Sequence, residues 1–297
     1  MKKLAIVIPA YKDTFLTETL SSLANQTNKN FVVYIGDDNS PYPIESVLTP
    51  YQDKLHIVYH RFDTNVGGKS LVQQWYRCVD LTTEDYIWLF SDDDILPCDA
   101  VERFWNFEKH NEFDICRLPL ELMDKEGQTI VRLEDYPLHI SSSDYLTKRL
   151  LREFLSSASE YIFTRKRYEA CGFVEFPLAW CSDDASWANM GRERGIYTIP
   201  GSPVRLRMSG ENISSKVDNI AIKFAAEKLF IEWISAHFPY IEEKYYYQYL
   251  RSKLGEYRDI SFFQRLNTIM PMDEMTIWHR LLLVCNNSYL YKVVKDV

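Results

Sequence analysis

The six cysteines, at positions 78, 98, 116, 171, 181 and 285, include no C-x-x-C pair, and no His/Cys cluster has the spacing of a zinc site. This excludes a structural zinc module. Cys78 and Cys285, in apolar surroundings, read as buried, reduced thiols. A basic surplus is missing too: 34 Lys and Arg against 42 Asp and Glu leave a net charge of -8. That argues against a nucleic-acid binder but not against one locally bound nucleotide. No uncharged apolar run approaches the ~20 residues of a membrane-spanning helix. The apolar stretch after Lys3 is too short for a signal-peptide core. The expectation is a cytoplasmic protein, with peripheral contact at the inner face of the cell membrane as an option. Internal repeats and low-complexity tracts are also lacking. What remains is a 297-residue globular chain, 46% apolar and 14% aromatic, enough for one large domain or two modest ones.

Short apolar runs alternate with helical spacing through the first third. Leu4–Ile8, Phe31–Ile35, Leu55–Tyr59 and Tyr86–Phe90 are of strand length. Between them, helices are expected from Phe15 to Ala24 with Thr14 or Thr17 as cap, from Ile44 to Tyr51, and over Leu71–Val79. Such alternation predicts an α/β fold with a doubly wound, mostly parallel central sheet flanked by helices. Further helices are expected at 99–110, 141–154, 165–171 and 185–194. Further strands are expected at 113–120, 128–131, 161–164, 196–199 and 203–207. After Lys216 glycine nearly disappears and aromatic helical patterning takes over at 220–238, 241–254, 262–269 and 274–294. The chain therefore divides into a catalytic domain (1–215) and a helical extension (216–297).

Every polar cluster of the first domain follows a strand, and in open parallel sheets ligands gather at the carboxyl ends of strands. The densest is Ser91-Asp92-Asp93-Asp94, directly after Tyr86–Phe90. Three adjacent carboxylates repel one another unless a cation sits among them, and oxygen-only ligands point to Mg²⁺ or Mn²⁺. A solvated turn or a helix N-cap is the competing account. Of the others, Pro9-Ala10-Tyr11 offers a ring for stacking on a base. Asp38 offers an acceptor for a base imino N–H. Gly67-Gly68 allows close backbone approach at a helix N-terminus, which suits phosphate, and Lys69 adds charge there. Asp183-Asp184 is either a double N-cap or a general base, its proton affinity raised by like charge and by burial near Trp180 and Trp187.

Taken in order, Ile6–Lys12 (IVIPAYK), Asn25–Ser40, Asn65–Ser70 (NVGGKS), Glu84–Pro97 (EDYIWLFSDDDILP) and Ser182–Trp187 (SDDASW) resemble the family-two glycosyltransferases of GT-A fold. These are inverting, metal-dependent enzymes that use nucleotide-diphospho-sugars. The resemblance covers roughly residues 3–215. It implies base contacts at Pro9, Ala10, Tyr11 and Asp38, most often to uracil, with Gly67 and Lys69 near the nucleotide. It implies Asp93 as principal ligand of Mn²⁺ or Mg²⁺. Ser91 stands where the family's first metal-motif acid is common, so Asp92 would take the ribose or metal contact. Asp94 would serve the donor sugar or the following helix. The base would be Asp184, with Asp183 in support. Leu206–Ser215 resembles the family's Arg-x-His-x-x-Asn-x-Ser segment and makes Arg207 and Asn212 diphosphate candidates, with Ser209 replacing the histidine. The implied partners are a nucleotide-sugar donor, most often UDP-linked, and a saccharide or lipid-linked saccharide acceptor in bacterial surface glycan assembly. The extension would pack on the catalytic domain, on a second copy as a homodimer, or on the membrane. A degenerate family member acting as a binding or assembly subunit is the alternative, favoured by Ser91 and Ser209. A nucleotidyltransferase would want a glycine-rich basic signature where Pro9-Ala10-Tyr11 stands.

Overall fold

The computed structural model describes residues 2–132, 136–210 and 219–256. Its sheet begins with β1 (Leu4–Ala10), β2 (Val32–Asp37), β3 (Ile57–Arg61) and β4 (Tyr86–Leu89). These four lie parallel in the order β3-β2-β1-β4. They are joined by α1 (Leu16–Ala24), α2 (Ile44–Leu48) with a short 3-10 turn after it, and α3 (Leu71–Val79). After α4 (Ala100–Glu108) the sheet is extended by β9 (Tyr161–Thr164), β5 (Ile115–Arg117), β10 (Ile196–Thr198) and β8 (His139–Ile140), giving eight strands. β9 runs antiparallel to both its neighbours, and β8 antiparallel to β10. The mostly parallel α/β architecture is therefore as the sequence predicts, while β8 carried no sequence signal.

Burial on both faces explains the unbroken apolar composition of the central strands. Along β1, Ala5 and Val7 face one core, while Leu4, Ile6 and Ile8 face the other. The first core is roofed by α3, α5 (Ser142–Leu151), α7 (Ser182–Met190), α8 (Ile220–His237) and α9 (Glu243–Glu256). The second lies under α1, α2 and α4.

Three local expectations are corrected. The run 113–120 is two strands: β5 stays in the large sheet, and β6 (Leu120–Asp124) pairs with β11 (Val204–Met208) and β7 (Thr129–Arg132) in a small second sheet. Pro119 has no N–H for a ladder and marks the break; its carbonyl accepts the Val204 amide at 2.8 Å. α1 is preceded by Phe15 and has no side-chain cap. α7 begins at Ser182, so Asp183 and Asp184 occupy its first turn, where the helix dipole favours carboxylates.

The extension packs on this same body. Phe224, Phe230, Ile231 and Ile234 of α8 and Tyr246, Tyr249 and Leu250 of α9 share a core with Val7, Trp75 and Trp187. The expected helices at 262–269 and 274–294 lie outside the described residues. Among the described residues no helix is long and apolar enough to cross a membrane. Phe230 is buried and meets Phe176 with 6.1 Å between ring centroids. Phe230→Ala should therefore cost about 3–5 kcal/mol in a single urea-unfolding transition. A separate early transition confined to helical signal would contradict a shared core.

Candidate active site

The chain runs β1, β2, β3 in one direction across the sheet and then returns to place β4 on the other side of β1. The crevice beyond the carboxyl ends of β1 and β4 is thus the point where strand order reverses. The structure closes that crevice with the aspartate triplet. The Asp92 carboxylate crosses from the end of β4 and accepts the amides of Tyr11 and Lys12, each at 3.1 Å. Asp93 accepts the Ser91 hydroxyl at 2.6 Å. Asp94 points inward, fully buried, accepting the Ser159 hydroxyl at 2.5 Å and the Arg207 amide at 2.9 Å. Its own carbonyl accepts from Thr19 at 2.9 Å. Burial pushes all three carboxyls above the ordinary carboxylate range, Asp92 and Asp94 further through the charge of Asp93.

Two expected donor contacts are corrected by this packing. Asp94 has both oxygens committed in the interior, so it ties β4 to β11 and its carboxylate is spent on the fold. Arg207 is fully buried: it donates to Glu18 at 2.6 Å and to the carbonyls of Asp93 and Lys125, and lies 4.2 Å from the Phe15 ring. In place of the expected diphosphate contact, the buried guanidinium pairs with the exposed Glu18 beneath the triplet. Asn212 lies outside the described residues.

The nucleotide candidates on β1, β2 and the turn before α3 come together. Asp37 is fully buried and holds the turn through the Ser40 amide, the Tyr59 hydroxyl and Arg61, each at 2.7 Å. Asp38 accepts the amides of Val66 at 2.7 Å and Gly67 at 2.8 Å, and pairs with Arg77. Three of the roughly four lone-pair positions of its carboxylate are thus used. Gly67 is needed for its closeness: a Cβ there would sit 2.5 Å from Asp38 Oδ2. Pro9 is half-buried and Ala10 buried beside them; Tyr11 lies at the surface with its ring edge-on to Tyr42, and Lys69 is exposed.

Across the crevice a cavity of about 500 Å³ is lined by Trp75, Arg149, Phe154, Trp180, Asp183, Asp184 and Met208, with Tyr249 and Lys253 supplied by α9. The two aspartates differ sharply. Asp184 is buried and gripped by Arg149, whose Nε and Nη2 reach its two oxygens at 2.8 Å each, and by the Tyr145 hydroxyl at 2.7 Å. Asp183 is half-buried on the cavity wall. Burial first, and the Asp184 charge second, push its carboxyl up to about 8, with Arg149 opposing. Asp184 thus spends both oxygens on Arg149 and Tyr145, while Asp183 stands half-exposed on the cavity wall. The loop before the pair is strained: Leu178, Ala179 and Cys181 have φ of 59°, 54° and 63°, each costing about 1–3 kcal/mol. The extension holds it, through Trp180 Nε1 on Glu227 at 2.9 Å and Phe176 against Phe230.

Among the described residues no group of three or more His, Cys, Asp or Glu side chains is arranged to hold a metal. Asp93 and Asp92 still fit a Mg²⁺- or Mn²⁺-type site in which one or two carboxylates are completed by the substrate's phosphates. Both are half-exposed at the carboxyl edge of the sheet, and burial, the first cause of their raised proton affinity, is a cost that a bound cation would offset. Sequence reading missed Arg149, Tyr145, Arg77 and Ser159. Tyr145 and Arg149 are four apart on one face of α5, but nothing local links that face to α7.

The model for glycosyl transferase family 2 matches residues 5–169. A poly(ribitol-phosphate) beta-glucosyltransferase of Bacillus spizizenii is 30% identical over 117 residues, 38% of this chain and 18% of that protein. A GalNAc(5)-diNAcBac-PP-undecaprenol beta-1,3-glucosyltransferase of Campylobacter jejuni is 24% identical over 212 residues, 66% of this chain and 62% of that protein. The chain thus spans less than two thirds of either curated relative. The crystal structure of S. aureus TarS 1-349 in complex with UDP-GlcNAc superposes with a TM-score of 0.63 at 15% identity, covering 99% of this chain and 92% of that one.

If Asp94 is structural, Asp94→Ala should lower stability at pH 7.5 by about 1–3 kcal/mol through the stranded Ser159 and Arg207 donors. Asp94→Asn, which keeps an acceptor and sheds the charge, should melt near the parent. A carboxyl whose folded-state pKa is raised contributes stability at low pH and loses it as pH rises through that value. The Asn variant should therefore gain on the parent as pH rises above the ordinary carboxylate range. Thermal melts across that range check both; equal loss in the two variants would count against the interior role.

Proposed function

The chain belongs to glycosyl transferase family 2, and on that premise we propose that it moves a sugar from a UDP-linked donor to an acceptor hydroxyl. The product has inverted configuration at the anomeric carbon, and the acceptor is a bacterial surface polymer or lipid-linked glycan. The observation that supports this most is the division of carboxylates across one crevice. Asp92 and Asp93 stand at the switch point beside the Asp38–Gly67 turn, and the half-buried Asp183 lines a cavity walled also by Leu206 and Met208, the neighbours of the Arg207 that packs under the triplet. The names of two relatives support the acceptor class: one acts on poly(ribitol-phosphate), the other on an undecaprenol-PP-linked glycan.

In this reading the base packs beside Tyr11, and the last lone pair of Asp38 accepts its imino N–H. The amides about Gly67 and the charge of Lys69 lie toward the nucleotide. Asp93, with Asp92, is the site for a divalent cation, which when bound neutralises charge on the diphosphate. Asp183 takes the proton from the acceptor hydroxyl as its oxygen bonds to the anomeric carbon. The bond to the diphosphate oxygen breaks on the opposite face, and UDP leaves with the electron pair. Asp184, fixed by Arg149 and Tyr145, keeps Asp183 in place.

The test is UDP release from a panel of UDP-, GDP-, CDP- and dTDP-sugars with Mn²⁺ or Mg²⁺, using ribitol phosphate oligomers and lipid-linked saccharides as acceptors. Asp183→Asn should cut kcat by about 10²–10⁴-fold while UDP binding by calorimetry stays at the parent's level. The kcat/KM of the parent should rise with pH toward an apparent pKa near 8, since the base must lose its proton. Full turnover in Asp183→Asn with none in Asp184→Asn would exchange the two roles. Nucleotide binding without turnover of any donor would favour a binding subunit.

A further inference from the structure

We infer that the cavity at the head of α7 takes a cyclic sugar as acceptor, not an acyclic polyol phosphate, and that Trp180 is the residue that selects the ring. The inference deepens the transferase reading of this site and rests on it. At about 500 Å³ the cavity has the size of a small-molecule pocket. Both carboxylates of the acidic pair are on its wall, so the attacking hydroxyl has to come here. Tyr11, Asp38, Asp92 and Asp93, the nucleotide and metal candidates, are not on that wall. The wall is mostly apolar, with Trp75, Phe154, Trp180 and Tyr249 as its aromatic members. Trp75 and Tyr249 are buried, and the Phe154 ring already packs on Tyr136, Tyr145 and the Arg117 guanidinium. Trp180 is half-buried. Its indole is fixed at the edge by Nε1 donating to Glu227 at 2.9 Å, and over a face by the buried Lys223 ammonium at 4.6 Å.

A ring held in advance loses little freedom when a ligand lands on it. The C–H face of a pyranose carries slight positive charge and is drawn to the negative face of an indole. An acyclic polyol has no such face, because its C–H and O–H groups turn to all sides of the chain. The charges on the wall point the same way. Arg149, Arg152 and Lys253 line it, opposed by Asp183 and Asp184. Arg149 is bound to Asp184, Lys253 lies 3.4 Å from Glu227, and Arg152 donates to Ser252 at 3.1 Å. Three cations thus meet three carboxylates, and the whole chain carries a net charge of -8. A polyol phosphate brings a negative charge with every unit and calls for a basic track, whereas a neutral pyranose does not.

The experiment is saturation-transfer NMR on the full chain with UDP and Mg²⁺, irradiating the aromatic protons. The probes are the methyl β-glycosides of glucose, galactose, N-acetylglucosamine and N-acetylgalactosamine, set against ribitol 5-phosphate. Trp180→Leu fills the space without an aromatic face, and Trp180→Phe keeps a smaller ring. Calorimetric UDP binding is the fold control for both. At least one pyranoside should be saturated on the hydrogens of one ring face and should stay bound as salt is raised. That signal should vanish in Trp180→Leu and persist in Trp180→Phe, while ribitol 5-phosphate shows none. With the same pyranoside as acceptor and UDP-glucose or UDP-N-acetylglucosamine as donor, Trp180→Leu should raise the acceptor KM by about tenfold. Saturation of no pyranoside, equal saturation in the parent and Trp180→Leu, or equal or stronger saturation of ribitol 5-phosphate overturns the inference. The transferase reading fails separately, if no nucleotide sugar releases UDP. The NMR readout needs no turnover and still decides what the cavity holds.

Discussion

Placing three aspartates at the end of a strand buried on both faces is costly, and the rest of the site answers to that constraint. Desolvation and mutual repulsion both penalise ionisation there. The structure spreads the cost by giving each carboxylate a different set of donors. Asp92 takes two backbone amides from the end of β1, Asp93 takes a neighbouring hydroxyl, and Asp94 takes Ser159 and the amide of Arg207. Each answer also joins parts of the fold. Asp92 locks β1 to β4 across the switch point, and Asp94 locks the large sheet to the small one. The buried Arg207 guanidinium lies beneath the triplet and also reaches Glu18 of α1. The outcome is a crevice in which Asp92 and Asp93 are half-exposed, and Asp93 is held by the neighbouring Ser91 hydroxyl.

The same economy recurs at the start of α7. Asp183 and Asp184 are chemically identical neighbours, and the Arg149 guanidinium binds both oxygens of Asp184. The strained loop that delivers them to the wall keeps its shape because α8 and α9 press on it, through Glu227 on Trp180 and Phe230 on Phe176. The helical extension is therefore part of how the site is built, and α9 places Tyr249 and Lys253 on the cavity wall itself. The shape of the strained loop and the lining of the cavity depend on the same contacts.

Some of this was legible from sequence and some was not. Strand–helix alternation fixed the parallel core, because a period of two or 3.6 residues is a local property that burial imposes on each segment separately. α3 falls on Leu71–Val79 as expected, and the strand ends carry the clusters that the motifs marked. Pro119 was a visible break that an apolar run concealed, so one expected strand became two in different sheets. β8 is two residues long and leaves no periodicity to read.

The sequence by itself determined the family and the place of the chemistry: an α/β sheet with Asp38, Gly67 and the triplet at its carboxyl edge, and a second acidic pair at the start of a helix. Spacing along the chain is enough for that, since strand order and crossover handedness are tightly constrained. Only the tertiary structure decided what surrounds each carboxylate. Asp94 and Arg207 turned inward, and Asp183 and Asp184 were told apart by Arg149, which lies 35 residues away. A carboxylate's role depends on how many donors and how much water reach its two oxygens, and those are set by neighbours that the fold brings in from distant parts of the chain.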